Sequence, residues 1–244
     1  GKYLSNEGFC KDVSLAVSEQ YLPRFSEDHL PSNKYGAIIA ISEKLETLIS
    51  IYAIGKRPSG SSDPFALRRN MNGIIQIIWH FELNIKLDKL VDNLCIYWRN
   101  SIEGFSFDFE QVSRDLIAFL KQRILSHLED LYLEKDLIKS VTESDIYEEK
   151  LFNLFDLKKR IDFLYSIRNE EGFEDIRTII SRISKLANKG DLGKEIYFSK
   201  GIINEKLFEK KCEERALELI KQFEDIVCSN DLDFLKIIRL FNKN

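Results

Sequence analysis

The sequence predicts an all-α protein, and three observations carry that expectation. The only prolines, Pro23, Pro31, Pro58 and Pro64, lie within the first 64 residues, and none follows Pro64. The long remainder is rich in Leu, Ile, Lys and Glu, residues that lose little freedom in a helix. Apolar residues recur at three- and four-residue steps along most of the chain, with no sustained alternation of a strand and no internal repeat.

Taken in order, Asp12 to Tyr21 has helical apolar spacing and is stopped by Pro23. A loop with two prolines follows over 23–34. Residues 35–54 carry Ile38, Ile41, Leu45, Leu48, Ile49 and Tyr52, the stripe of a core helix. After a loop over 55–63, a helix expected from Pro64 turns Leu67, Met71, Ile74, Ile75 and Ile78 inward, and one at 86–98 presents Leu87, Leu90, Leu94 and Trp98. Asn100 to Phe107, with Gly104, reads as a junction. Beyond it Phe109, Val112, Leu116, Leu120, Ile124, Leu128 and Leu131 mark a helix of roughly seven turns over 108–133. Further helices are expected at 134–141, 146–155, 156–168, 173–189, 204–228 and 231–241.

Composition narrows the function classes. The 244 residues hold 36 Lys and Arg against 40 Asp and Glu, a formal net charge of -4, which excludes a wholly basic nucleic-acid wrapper. Cys10, Cys95, Cys212 and Cys228 are widely spaced with no C-x-x-C, so they read as small apolar fillers in a reducing compartment. No run of about 20 apolar residues and no signal-peptide pattern occurs, so a cytoplasmic protein is expected. The start at Gly1, a single Met71 and an end on an amphipathic pattern at Asn244 read as a piece of a longer protein.

The most informative stretch runs from Gly55 through Lys56-Arg57-Pro58 to Asp63-Pro64-Phe65-Ala66-Leu67-Arg68-Arg69. Asp63 is expected to cap a helix, with Pro64 at its first position and Phe65 and Leu67 in the core. Lys56, Arg57, Arg68 and Arg69 cluster around that helix start, where the macrodipole disfavours cations by roughly 0.3–1 kcal/mol each. Something anionic must compensate: an internal carboxylate, or an RNA phosphate helped by free N–H groups. Both readings stay open on the sequence.

Three segments together carry a resemblance. Gln20-Tyr21-Leu22-Pro23-Arg24-Phe25, then Ser42-Glu43-Lys44-Leu45-Glu46-Thr47-Leu48, then the basic loop, fall in the order and spacing that resembles the β subunit of bacterial heterotetrameric glycyl-tRNA synthetase. The run from Lys158 to Asn188 resembles that family's anticodon-binding region more weakly. The resemblance implies an HD-like helical domain over 1–103, incomplete at its N-terminal side, then a helical bundle like anticodon-binding domains over 104–244, incomplete at its C-terminal side.

The HD fold's hydrolytic chemistry needs a histidine and an adjacent His-Asp pair to hold a divalent metal. This chain has only His29, His80 and His127, no His-Asp pair, and Glu43 and Glu46 where the family pattern has aspartates. No catalytic residue and no metal ligand is therefore expected here. There is no phosphate-binding glycine loop and no Ser-His-Asp or Cys-His grouping.

The second half offers the better RNA candidates. Lys158, Arg160 and Arg168, with Lys159, fall on one helical stretch, and Arg177, Arg182, Lys185 and Lys189 on the next. Arg182, Lys185 and Lys189 share a face, and residues 177–189 contain no acidic residue. Asn188 can read a base edge, because an amide both donates and accepts; Tyr165 and Asn169 are weaker contacts.

The resemblance implies tRNA recognition within an α2β2 enzyme that attaches glycine to its tRNA. The partners would be glycine tRNA and the α subunit, with ATP and Mg used at the α subunit and no cofactor here. Neither a membrane nor DNA is expected as a partner. The alternatives are a degenerate HD-type phosphohydrolase-like domain and a helical protein-interaction scaffold.

Overall fold

A computed structural model describes residues 1–59, 62–101, 107–132, 134–142, 152–170, 173–190, 199 and 202–228. Among these residues the protein is all-α, with no strand and only two isolated bridges, Ser59 with Ser62 and Lys86 with Asn153. The helices are α1 (Lys2–Asn6), α2 (Lys11–Glu19), α3 (Lys34–Ala53), α4 (Leu67–His80), α5 (Leu87–Ser101), α6 (Phe109–Leu131), α7 (Lys135–Thr142), α8 (Leu154–Ile167), α9 (Phe173–Lys189) and α10 (Lys211–Cys228). A short 3-10 turn covers Glu205–Leu207. The helices expected at 146–155 (in part) and 231–241, and most of the junction at 100–107, lie outside the described residues.

The chain divides into two compact units, Gly1–Asp162 and Phe163–Asn244. The expected boundary at 103/104 lies in an undescribed stretch within the first unit.

In the first unit α3 is the central element. It packs on α2, α4 and α6, while α6 also lies on α4, α5 and α7. Leu45, Leu48 and Ile49 of α3 meet a core that includes Ile74, Ile75, Ile77 and Ile78 of α4, all nearly inaccessible to water. Each such side chain contributes about 1.5–3 kcal/mol by leaving water. Side chains fix the helix starts: Asn33 accepts from Gly36 N, and Asp108 accepts from Gln111 N. Tyr52 is buried against Phe119 with ring centres 5.8 Å apart, and that burial pushes its hydroxyl pKa up to about 12.

Several expectations need correction. α4 begins at Leu67, not at Pro64; Asp63 to Ala66 form a turn, and Ala66 takes the left-handed conformation (φ 56) before the helix starts. That reversal sends Leu67 inward and leaves Phe65 41% exposed, so Phe65 is not a core residue. Ile38 is 55% exposed, because α3 is covered at that end on the side of Ala37 and Ala40, where Gly36 meets Pro31. Leu131, at the last position of α6, is 54% exposed. The first short helix, α1, has no readable apolar stripe and holds no buried residue.

In the second unit, α9 stands out: every described side chain from Glu174 to Lys189 is exposed. Leu217 of α10 is buried, and Glu224 accepts from the backbone N and the hydroxyl of Ser199, both at 2.6 Å.

Candidate nucleic-acid interface

The residues that carry the resemblance converge in the first unit. Lys44 of α3 is buried, and its Nζ donates to the Tyr21 carbonyl at 3.0 Å. Burial lowers its pKa against the opposing pull of Glu43 and Asp28. Its stem runs against Gly73 of α4, where an added β-carbon would stand 2.9 Å from Lys44 Cε and 3.3 Å from Pro23 Cγ. One lysine thus ties the Tyr21–Phe25 segment to the helix that follows the basic loop. Arg24 pairs with Asp28 at 2.8 Å, and this hydrogen bond holds the Asp28 carboxyl down at about 2.

Asp63 supplies the anion demanded by the basic loop. Its two carboxylate oxygens accept from Leu67 N at 2.8 Å and Arg68 N at 2.9 Å. Those two N–H groups are therefore occupied by the protein's own carboxylate rather than open to a phosphate. Arg57 is held internally too. It pairs with Asp115 of α6 at 2.7 Å, donates to the Tyr52 carbonyl at 2.7 Å, and lies 4.1 Å from the centre of the Tyr52 ring. The Arg57 hydrogen bond holds the Asp115 carboxyl below its ordinary range. Lys56 is exposed.

Arg68 and Arg69 line a cleft of about 540 Å³. Its walls come from Pro23, Phe25 and Ser26, from Asp63 and the start of α4, and from His127 and Asp130 of α6. Asn72 accepts both Nε and Nη2 of Arg123 on Oδ1, at 3.3 and 3.2 Å. His127 packs at a tilt on Trp79 with ring centres 5.1 Å apart, and burial lowers its pKa. Arg68 also reaches a second depression of about 500 Å³ beside Tyr52, Arg57 and Asp115.

Phe25, Asn72, Gln76 and His127 were not expected as site residues from the sequence. A signal is present for two of them: Arg68, Asn72 and Gln76 recur at four-residue steps, a polar row beside the apolar run of α4. Phe25 lies at the end of the Gln20–Phe25 motif. Nothing in the local sequence marks His127 as part of a site.

The remaining basic candidates divide by environment. Lys158 pairs with Asp162 and lies over the Trp79 ring, while Arg160 pairs with Asp156 at 3.0 Å with only 13% of its side chain exposed. Lys159 lies 4.2 Å from the Phe155 ring centre. Arg168 stands over Tyr165 at 5.9 Å. Arg177 pairs with Glu174 at 2.6 Å. Arg182, Lys185 and Lys189 are exposed on α9 and make no ion pair among the described residues. Asn188 lies on the same helix, but its side chain is outside the described residues. Lys158 and Arg160 belong to the first unit and Arg168, Arg177, Arg182, Lys185 and Lys189 to the second.

Among the described residues no group of three or more His, Cys, Asp or Glu could hold a metal ion, and Glu43 accepts from Thr47 within its own helix. Among those residues, too, no helix is long and apolar enough to cross a membrane.

The described residues form an all-α scaffold with an arginine-lined cleft in the first unit and an exposed basic helix in the second, and comparison with known proteins gives the family. A family model described as glycyl-tRNA synthetase beta subunit matches residues 1–143, so the chain belongs to that family. It is 34% identical over 249 residues to the glycine–tRNA ligase beta subunit of Acaryochloris marina, covering 99% of this chain and 34% of the relative. It is 33% identical over 230 residues to that of Gloeothece citriformis (90% and 30%), and 34% identical over 230 residues to that of Oenococcus oeni (93% and 32%). The chain spans about a third of the length of these relatives.

Proposed function

We propose that this chain is the part of a glycyl-tRNA synthetase β subunit that holds the tRNA, in support of ATP-dependent attachment of glycine. Bond making, with ATP and Mg, belongs to the α subunit in this reading, and the α2β2 enzyme works in the cytoplasm. Residues 1–103, with the three converging motifs, serve as the HD-like region, without hydrolytic chemistry, and the helices of 104–244 serve the anticodon side.

One observation carries the reading beyond family membership: Arg182, Lys185 and Lys189 project from α9 into solvent without carboxylate partners among the described residues. A cation held by a carboxylate has part of its charge spent, whereas these three keep theirs for a phosphate backbone. Arg68 and Arg69 at the cleft are the second contact. The test is a gel shift of the chain with glycine tRNA against a noncognate tRNA at low salt. Tighter binding of the cognate tRNA is expected, and no shift with either would overturn the reading.

A second reading, a protein-interaction scaffold, has one observation in its favour. Ile179, Ile180, Ile183 and Leu186 of α9 are 44%, 51%, 57% and 70% exposed, an apolar row on the same helix as the basic face. The gel shift separates the two, because a scaffold has no affinity for tRNA.

A further inference from the structure

We propose that the cleft between the Pro23–Ser26 loop, the start of α4 and the end of α6 is a pocket for one unpaired nucleotide of an RNA strand. The proposal rests on the tRNA reading above and names what that cleft takes. At about 540 Å³ it lies within the roughly 300–1,000 Å³ of small-ligand sites. A base with its ribose and phosphate fits such a space.

The lining supplies the three recognition elements that an unpaired nucleotide needs. Phe25 is 54% exposed on the cleft wall, an aromatic ring held in water where a base can stack on it. Arg69 is exposed, with no ion-pair or hydrogen-bond partner among the described residues, and supplies a cation for one phosphate. Asn72 has Oδ1 engaged by Arg123, which fixes its amide and leaves its NH₂ to donate to a base edge, with Gln76 one turn further on.

The charge balance selects the form of the phosphate. Asp63 and Asp130 line the same cleft as Arg68 and Arg69, so the site is close to neutral. A phosphodiester carries one negative charge and suits such a site. A nucleoside triphosphate would crowd its charges against two carboxylates with no metal ligand set among the described residues. The occupant is therefore a nucleotide within a strand, not a free triphosphate.

The test titrates the full chain with single-stranded RNA hexamers, and separately with nucleoside 5′-monophosphates. Binding is followed by anisotropy of a labelled hexamer and by the fluorescence of Trp79, which packs at 5.1 Å on the cleft-lining His127. Saturable hexamer binding with a change at Trp79 is expected. Phe25→Ala and Arg69→Gln should each weaken it about tenfold, and Phe25→Tyr should restore it. Monophosphates binding more tightly than hexamers would overturn the strand assignment. Folded Phe25→Ala and Arg69→Gln variants that bind hexamers like the parent would overturn the pocket. If tRNA binding falls in an Arg182→Gln/Lys185→Gln variant but not in Phe25→Ala, the pocket fails and the tRNA reading stands. If hexamers bind through the cleft while tRNA does not bind at all, the tRNA reading fails and the pocket stands.

Discussion

Lys44 on α3 and Gly73 on α4 are fitted to one another: a β-carbon on Gly73 would stand 2.9 Å from Lys44 Cε. Gly→Ala inside a helix ordinarily stabilises by roughly 0.5–1 kcal/mol. Here the sign should reverse, because the lysine is buried and its Nζ is tied to the Tyr21 carbonyl. Gly73→Ala should cost about 1–3 kcal/mol, as overpacking does, read as a lower urea midpoint at unchanged slope. A midpoint at or above that of the parent would show that the lysine stem yields freely.

The same lysine gives a pH dependence with a definite sign. Burial lowers its folded-state pKa, so below the unfolded value of about 10.4 the unfolded chain binds more protons than the folded one. Stability from this group therefore rises with pH, from the depressed folded pKa up to about 10.4. Lys44→Met, similar in volume and uncharged, should flatten that alkaline rise in a denaturation series. A rise of the same size in the variant would assign it to another group.

Asp115 works in the opposite range. Its carboxyl is held below the ordinary value by Arg57, so its contribution is present above about pH 4 and disappears as pH falls through the depressed value. With Arg57 and Asp115 side chains 31% and 33% exposed, solvent screens the pair, and Asp115→Asn should cost about 1 kcal/mol or less at about pH 7. The difference between parent and variant should shrink below about pH 4. A constant difference down to about pH 2 would place the effect in packing instead.

Asp63→Ala removes the acceptor of two backbone N–H groups at the start of α4 and should destabilise by about 0.5–2 kcal/mol. Asp63→Asn should lose less, since an amide oxygen still accepts one of them. Equal losses by thermal melting would point to the charge opposite Arg68 rather than to the cap.

The long helices were legible because their apolar residues keep helical spacing over many turns. The stripe of α6 from Val112 to Leu128 is buried as its spacing predicts. What failed was local and depended on tertiary surroundings. Asp-Pro-Phe reads as a helix start, but the left-handed Ala66 moves that start to Leu67 and leaves Phe65 in solvent. Of the site, the basic loop could be read from sequence, while its partner Asp115 lies 58 residues away and no local pattern links it to Arg57. The cleft was hidden for the same reason: Phe25, Asn72 and His127 come from three separate elements.

The basic face of α9 supplies the last prediction. Arg182 and Lys185 are exposed and support no packing, so Arg182→Gln with Lys185→Gln should leave the melting temperature within about 1–2 °C of the parent. If they meet phosphates, tRNA affinity should fall, and its dependence on salt should flatten by roughly 0.7–0.9 of log–log slope for each phosphate that no longer meets a cation. Arg177 serves as the internal control. Its charge is already paired with Glu174 at 2.6 Å, so Arg177→Gln should move affinity and slope less than either neighbour. Asn188→Ala should behave differently if it reads a base, lowering discrimination between cognate and anticodon-altered tRNA with the slope unchanged. An unchanged slope in the double variant would make the face a solvated one. The exposed row of Ile179, Ile183 and Leu186 would then be the remaining candidate contact surface of this helix.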